Sequence, residues 1–195
     1  MARVAENKEK ERVVLGISGA SGVAYGIRLL GALRELGAES HLVMSKAAEM
    51  TIGLETALKP KAVAKMADHA YAIGDIGAAI ASGTFKTRGM IVAPCSVRSW
   101  SEIATGVTTS LLTRAADVTL KERRPLVLIV RETPLHVGHL RTLTQLAEMG
   151  AIILPPLPAF YDEPHKISDF VDQIAGRALD LLGYDWPSQK RWSGH

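Results

Sequence analysis

Val13-Val14-Leu15-Gly16-Ile17-Ser18-Gly19-Ala20-Ser21-Gly22 opens as a short apolar run rich in β-formers and then turns through small residues. Val23, Ile27, Leu30, Leu33 and Leu36 follow at three- and four-residue steps, the spacing of a helix with one apolar face. The stretch reads as strand, glycine turn, helix. Gly19 and Gly22 lack Cβ, so the backbone can turn tightly there and a ligand can come close. The first turn of such a helix leaves N–H groups without intrahelical partners, at the positive end of its dipole. The turn serves either as a tight connection alone or as an anion site, with phosphate the usual occupant. The hydroxyls of Ser18 and Ser21 favour the second reading.

Two stricter nucleotide motifs are absent. The turn does not fit G-x-x-x-x-G-K-[ST], and Gly16, Gly19 and Gly22 are spaced by threes rather than as G-x-G-x-x-G. The next strand, His41 to Ser45, ends in Ser45-Lys46, where a dinucleotide site wants an acid for the ribose diol. Ser45 and Lys46 suit a phosphate-side contact instead, so a mononucleotide is expected rather than a dinucleotide.

The 195-residue length is that of one domain with a substantial core. The formal charge of +3 is too mild for a nucleic-acid-binding chain. The single cysteine excludes an internal disulfide and a cysteine-based zinc site. No run approaches the ~18 apolar residues of a membrane span, and the charged first twelve residues lack the apolar core of a leader. A cytoplasmic location is expected. Residues 1–12 are expected to be a flexible tail, 13–185 a single α/β domain, and 186–195 a C-terminal tail.

Further strands are expected at Met90–Ser96, Pro125–Val130 and Ala151–Leu154. Helices are expected at Ala47–Glu55 with Met50, Leu54 and Leu58 facing the core, at Lys61–Ala72, and through Leu111–Leu120 with Ser99 or Ser101 as cap. Another starts at Thr133-Pro134 and stops at Gly150; the last runs over Ile167–Leu182. Strands alternating with helices, and reading as near-continuous apolar runs, predict a doubly wound, three-layer sandwich on a mainly parallel sheet.

In such a sheet the carboxyl ends of the strands share one edge, where ligands bind. Ser18 to Gly22, Ser45, Cys95-Ser96 and Arg131-Glu132 all fall just past strand ends. Arg131 suits a phosphate or an ordinary ion pair. Glu132 suits proton transfer or a helix N-terminus. Cys95 reads as a small core residue at a strand end. His136 and His139 share a helical face, which is weak evidence for a metal. Composition alone makes Lys121 part of a solvated turn and Glu55 a surface acid.

The longer motifs identify a family. Gly-Ile-Ser-Gly-Ala-Ser-Gly at 16–22, Ser45-Lys46-Ala47-Ala48, Ala93-Pro94-Cys95-Ser96, Leu112 to Val118, Leu120 to Leu128, Arg131 to His136 and Pro155 to Tyr161 resemble the UbiX-type flavin prenyltransferases. The resemblance runs from Val13 to Leu182. It implies a flavodoxin-like fold that binds reduced FMN and transfers a dimethylallyl group from dimethylallyl phosphate to flavin N5 and C6, without a metal. It also implies a homo-oligomer, typically a dodecamer, and a UbiD-type decarboxylase that receives the prenylated FMN.

Matched residue by residue, the resemblance places FMN contacts at Gly19, Ala20, Ser21, Ser45, Ser96, Val97, Arg98, Ser99 and Arg131. It places prenyl-phosphate contacts at Lys121, Tyr161 and Arg177, with Arg177 acting across a subunit boundary. Glu55 and Glu132 match the family's active-site acids, Ser21 joining Glu55 in steering the N5 proton. The family commonly has Thr at Ser99 and Leu at Trp100, and Arg191-Trp192 resembles its C-terminal Arg-Trp pair. A flavin-dependent cysteine decarboxylase shares this superfamily but uses a histidine and an Asn-rich strand-end motif, from which Pro94-Cys95-Ser96 departs. A non-catalytic flavodoxin-like subunit has no need of Lys121, Tyr161 and Arg177.

Overall fold

Arg12–Ile17 forms β1 in the middle of a six-stranded sheet, because its residues are apolar on both faces and both faces are covered. The computed structural model describes residues 10–160, 163–189 and 191. From β1 the chain passes through α1 (Val23–Glu35), β2 (Glu39–Met44), α2 (Lys46–Glu55), α3 (Pro60–Ala64) and β3 (His69–Tyr71). It continues through β4 (Gly89–Cys95), α4 (Val97–Thr105), α5 (Leu111–Lys121) and β5 (Leu126–Val130). It ends with α6 (Val137–Glu148), β6 (Ile152–Ile153) and α7 (Ile167–Leu181).

The strand order is β3-β2-β1-β4-β5-β6, and each neighbouring pair is parallel, which makes the fold the expected flavodoxin-like sandwich. The chain winds outward from β1 to β3, then crosses back to β4 and winds the other way. The reversal leaves a crevice between the carboxyl ends of β1 and β4.

Side chains alternate between two cores. Val13, Leu15, Ile17, Ile91 and Ala93 pack against α1 and α7; Val14, Met90, Val92 and Cys95 pack against α4, α5 and α6. α1 lies close to the sheet because Gly26 has no Cβ: one added there would strike the Ala93 carbonyl oxygen.

Several local expectations are corrected. The Lys61–Ala72 helix stops after Ala64, and His69–Tyr71 becomes the edge strand β3, paired with β2. The helix expected through Leu120 is two helices, divided after Gly106, whose left-handed φ of 69° ends α4. Ser96 and Ser110 cap them, not Ser99 or Ser101. α6 begins at Val137 rather than Pro134, with His136 Nδ1 accepting the His139 N–H at 3.2 Å. Met50 and Leu54 face outward, 70% and 84% exposed, while Ala48 and Ile52 supply the core face of α2. Arg12 belongs to β1 rather than to a tail. Trp186 lies in the α1/α7 core, its indole N–H bonded to Glu35 at 2.8 Å.

Candidate active site

The loops after β1, β2, β4 and β5 meet over the crevice and wall a cavity of about 770 Å³. Every residue matched to an FMN contact lines it: Gly19, Ala20, Ser21, Ser45, Ser96, Val97, Arg98, Ser99 and Arg131. Glu132 lines it too, its carboxylate accepting the Thr133 N–H at 3.0 Å.

The rim is held by hydrogen bonds between these loops. The Ser45 N–H donates to the Ile17 carbonyl at 3.0 Å, joining the β2 loop to the end of β1. Ser18 is fully buried: its hydroxyl donates to the Pro94 carbonyl at 2.8 Å and accepts the Ser96 N–H at 2.7 Å. Ser18 therefore ties the β1 turn to the β4 end and does not offer its hydroxyl to a phosphate. Gly19 passes so close to α2 that an added Cβ would strike Ala47.

The α1 N-terminus departs from the sequence reading. Gly22 adopts a left-handed conformation, φ 101°, without a side-chain cap. Glu55, from the last turn of α2, supplies the anion: its Oε2 accepts N–H groups of Gly22 at 2.9 Å and Val23 at 3.1 Å. Burial acts to raise the Glu55 pKa, but the Ser21 hydroxyl, those two amides and the Arg131 charge outweigh it, holding the carboxyl below its ordinary range. Glu55 is exposed, as the surface-acid reading expects, yet its carboxylate takes the place expected for phosphate.

The starts of α2 and α4 are open to the cavity. Ser45 accepts the Ala48 N–H at 3.0 Å, and Ser96 accepts the Ser99 N–H at 3.4 Å. Each serine satisfies one first-turn donor and leaves the amides between for a ligand, at Lys46–Ala47 and Val97–Arg98 on the cavity wall. Arg98 reaches outward and pairs with Glu102 at 2.8 Å. The cavity's size and its hydroxyl, amide and guanidinium donors fit a flavin mononucleotide.

Lys121 and Arg177 do not line this cavity. α5 begins on the cavity wall at Leu112 and Thr113 but runs away from it, so Lys121, at its far end, is separated by about 1.5 Å per residue. It pairs with Glu122 at 2.6 Å, and Arg177, on α7, pairs with Asp180 at 2.6 Å. Tyr161 and Trp192 lie outside the described residues. Cys95 is fully buried, and burial pushes its thiol pKa far up, which leaves it packed and unreactive.

Sequence reasoning missed Glu102, Thr109, Ile73 and Gly74 on the wall. Glu102 bonds the Thr109 hydroxyl at 2.9 Å, and its place four residues after Arg98 on α4 was the available signal. Ile73 and Gly74 follow β3, a strand too short to read from periodicity.

Comparison with known proteins agrees with this geometry. The Flavoprotein family profile matches residues 1–178. Flavin prenyltransferase UbiX of Escherichia coli (strain K12) is 52% identical over 187 residues, which cover 94% of this chain and 99% of that protein. The crystal structure of AnUbiX (PadA1) in complex with FMN and dimethylallyl pyrophosphate superimposes with a TM-score of 0.94 at 47% identity, covering 95% of this chain and 99% of the other. The dodecameric FMN-dependent UbiX-like decarboxylase from Escherichia coli O157:H7 superimposes with a TM-score of 0.91 at 45% identity, covering 94% and 100%. With a glycine turn, two serine-capped helix starts and an Arg-Glu pair around one crevice, and half its residues shared across nearly the full length of such relatives, the chain belongs to the UbiX flavin prenyltransferases of the flavoprotein family.

Proposed function

We propose that this enzyme binds reduced FMN in the crevice and joins to it the dimethylallyl group of dimethylallyl phosphate. The allylic C–O bond breaks and phosphate leaves. N5 exchanges its proton for the C–N bond; the prenyl double bond takes up one proton as its carbon bonds flavin C6, which loses its own, so one proton passes, net, to the phosphate. The observation that carries this reading is the meeting of all the matched FMN residues at one cavity. FMN supplies the electron-rich acceptor; the protein's task is to hold it, exclude water and move protons.

In this reading the open starts of α2 and α4 hold the flavin phosphate. Ser21 and Glu132 line the cavity, and Glu55 stands against the Ser21-Gly22 turn. Glu55, kept ionised by Ser21, two amides and Arg131, is the base on the N5 side. Glu132 carries the proton bound for the departing phosphate.

Lys121, Tyr161 and Arg177 are assigned to that phosphate, where their positive charge and hydroxyl would stabilise the leaving group. Since Lys121 and Arg177 lie off the cavity within one chain, we assign their part to neighbouring subunits of a homo-oligomer, a dodecamer like that of the Escherichia coli O157:H7 relative. Exposed Met50, Leu54, Leu157 and Ile167 provide apolar surface for such packing. A UbiD-type decarboxylase is the expected recipient of the prenylated flavin. Among the described residues no helix is long and apolar enough to cross a membrane.

The deciding experiment is anaerobic incubation with reduced FMN and dimethylallyl phosphate, followed by mass spectrometry of the released flavin. A flavin heavier by one isoprene unit supports the reading; unchanged flavin from FMN-loaded protein overturns it. Glu132→Gln is expected to slow product formation with FMN affinity retained. Mixed oligomers of Lys121→Ala and Glu132→Gln chains are expected to regain activity, because some cavities then combine an intact Glu132 with a neighbour's intact Lys121. No recovery on mixing would place Lys121 in its own chain's site.

A further inference from the structure

At the amino-terminal ends of β2 and β3, on the edge of the sheet opposite the cavity, Glu39, His41 and His69 turn toward one another. Glu39 and His41 are two residues apart on β2 and share a face, and His41 is in register with His69 on β3. The Glu39 Oε1 lies 2.8 Å from His41 Nε2 and 3.4 Å from His69 Nε2. The three donor atoms all fall within 4.8 Å of one another. The two imidazoles are stacked, with centroids 4.8 Å apart and planes 16° from parallel.

We propose that these three residues bind one divalent transition-metal ion of the zinc type, with water completing the coordination. Zinc held tetrahedrally at ~2.0–2.1 Å needs donors roughly 3.3 Å apart. The spacings here bracket that value, so small side-chain rotations form the site. The outer contact is in place: His41 Nδ1 lies 2.8 Å from the Tyr71 hydroxyl, which fixes the ring and presents Nε2 to the ion. His41 is buried while His69 is 54% exposed, which gives the ion an entry path and room for water.

One charge opposes the ion. The Arg12 Nε lies 3.4 Å from the same Glu39 oxygen, with its guanidinium 5.0 Å over the Phe85 ring. Arg12, and the absence of a fourth ligand in the cluster among the described residues, make the site weaker than a four-ligand one. The ion's work there is structural. It clamps the three-residue edge strand β3 onto β2, and β3 leads to Ile73 and Gly74 on the cavity wall. The Ile73 carbonyl in turn accepts the Leu111 N–H at 2.8 Å, which anchors the start of α5.

The test uses the tag-free full-length protein after chelator treatment, titrated with Zn²⁺ by calorimetry and with Co²⁺ by visible absorption. The wild type is expected to bind one ion per chain with the d–d bands of a low-coordinate nitrogen–oxygen site. It is also expected to melt at a higher temperature with Zn²⁺ than without. His69→Ala, at an exposed position, is expected to weaken binding at least tenfold and to abolish the Zn²⁺ shift while melting like the wild type in chelator. His69→Gln serves if the alanine variant does not fold. Equal binding by wild type and variant would place the ion elsewhere, and no saturable binding by the wild type would remove the site; either result overturns the proposal.

Discussion

α1 and α4 begin at the same edge of the sheet, one after β1 and the other after β4, yet their exposed amides meet different partners. At α1 the glycine turn carries the sequence signature of an anion site, and Glu55 from α2 fills it. At α4 the turn is Pro94-Cys95-Ser96, with no glycine, and its first-turn amides lie on the cavity wall. The comparison teaches that glycine records how sharply a backbone turns. Which anion the turn receives is decided by a residue more than thirty positions away. A carboxylate fixed to the fold costs no association entropy, so it wins a helix start that it can reach.

The sharpest way to break this pairing is Gly19→Val. The new side chain drives into Ala47 and pushes the α1 turn away from α2. Displacing a binding loop by about an ångström costs on the order of a hundredfold, so FMN affinity, read by flavin fluorescence titration, is expected to fall at least that far.

Val97→Pro tests the α4 side. Proline is tolerated at the first helical position, and Ser96 already has the extended geometry that a following proline requires, φ −80° and ψ 160°. The helix keeps its shape and loses one N–H. If that N–H meets the flavin phosphate, losing a hydrogen bond to a charged group costs about 1.5–3 kcal/mol. FMN affinity should then drop roughly ten- to a hundredfold, while riboflavin binds as before. Equal losses for both ligands would move the phosphate to α2.

Glu55→Gln tests the α1 side. Losing the charged partner of a helix start costs about 0.5–1 kcal/mol at an exposed position. The sign with pH follows from the lowered Glu55 pKa. The ionised carboxylate's contribution is complete above the ordinary value of 4.5 and disappears as pH falls through the lower folded value. Denaturation midpoints of wild type and variant are therefore expected to differ at neutral pH and to converge on acidification.

The smallest effect belongs to Cys95, at the end of β4 beside Ser96. Its thiol is fully buried and held protonated. Iodoacetamide is expected to leave the native protein unmodified and its flavin binding unchanged.

The parallel sheet was legible because β1, β4 and β5 are apolar runs buried on both faces and β2 ends in one, and α1 because its apolar spacing is regular. β3 was not: His-Ala-Tyr holds its place by pairing with β2 and by the contact of Tyr71 with His41, both set by tertiary structure. α2 misled because Met50 and Leu54 have the composition of a core face, while Ala48 and Ile52 do the packing. The cavity residues were legible as strand-end polar clusters and through long family motifs. Glu55 was legible only through the family, since its amide partners are 32 and 33 residues earlier. No local pattern reports that contact.

α2 ends in the residue that caps α1 and carries Met50 and Leu54 uncovered on its outer side. Whatever settles on those two side chains also steadies the helix that aims Glu55. Catalytic competence per chain should accordingly depend on protein concentration: a stock diluted far enough to strip that covering would lose turnover before it loses its circular dichroism.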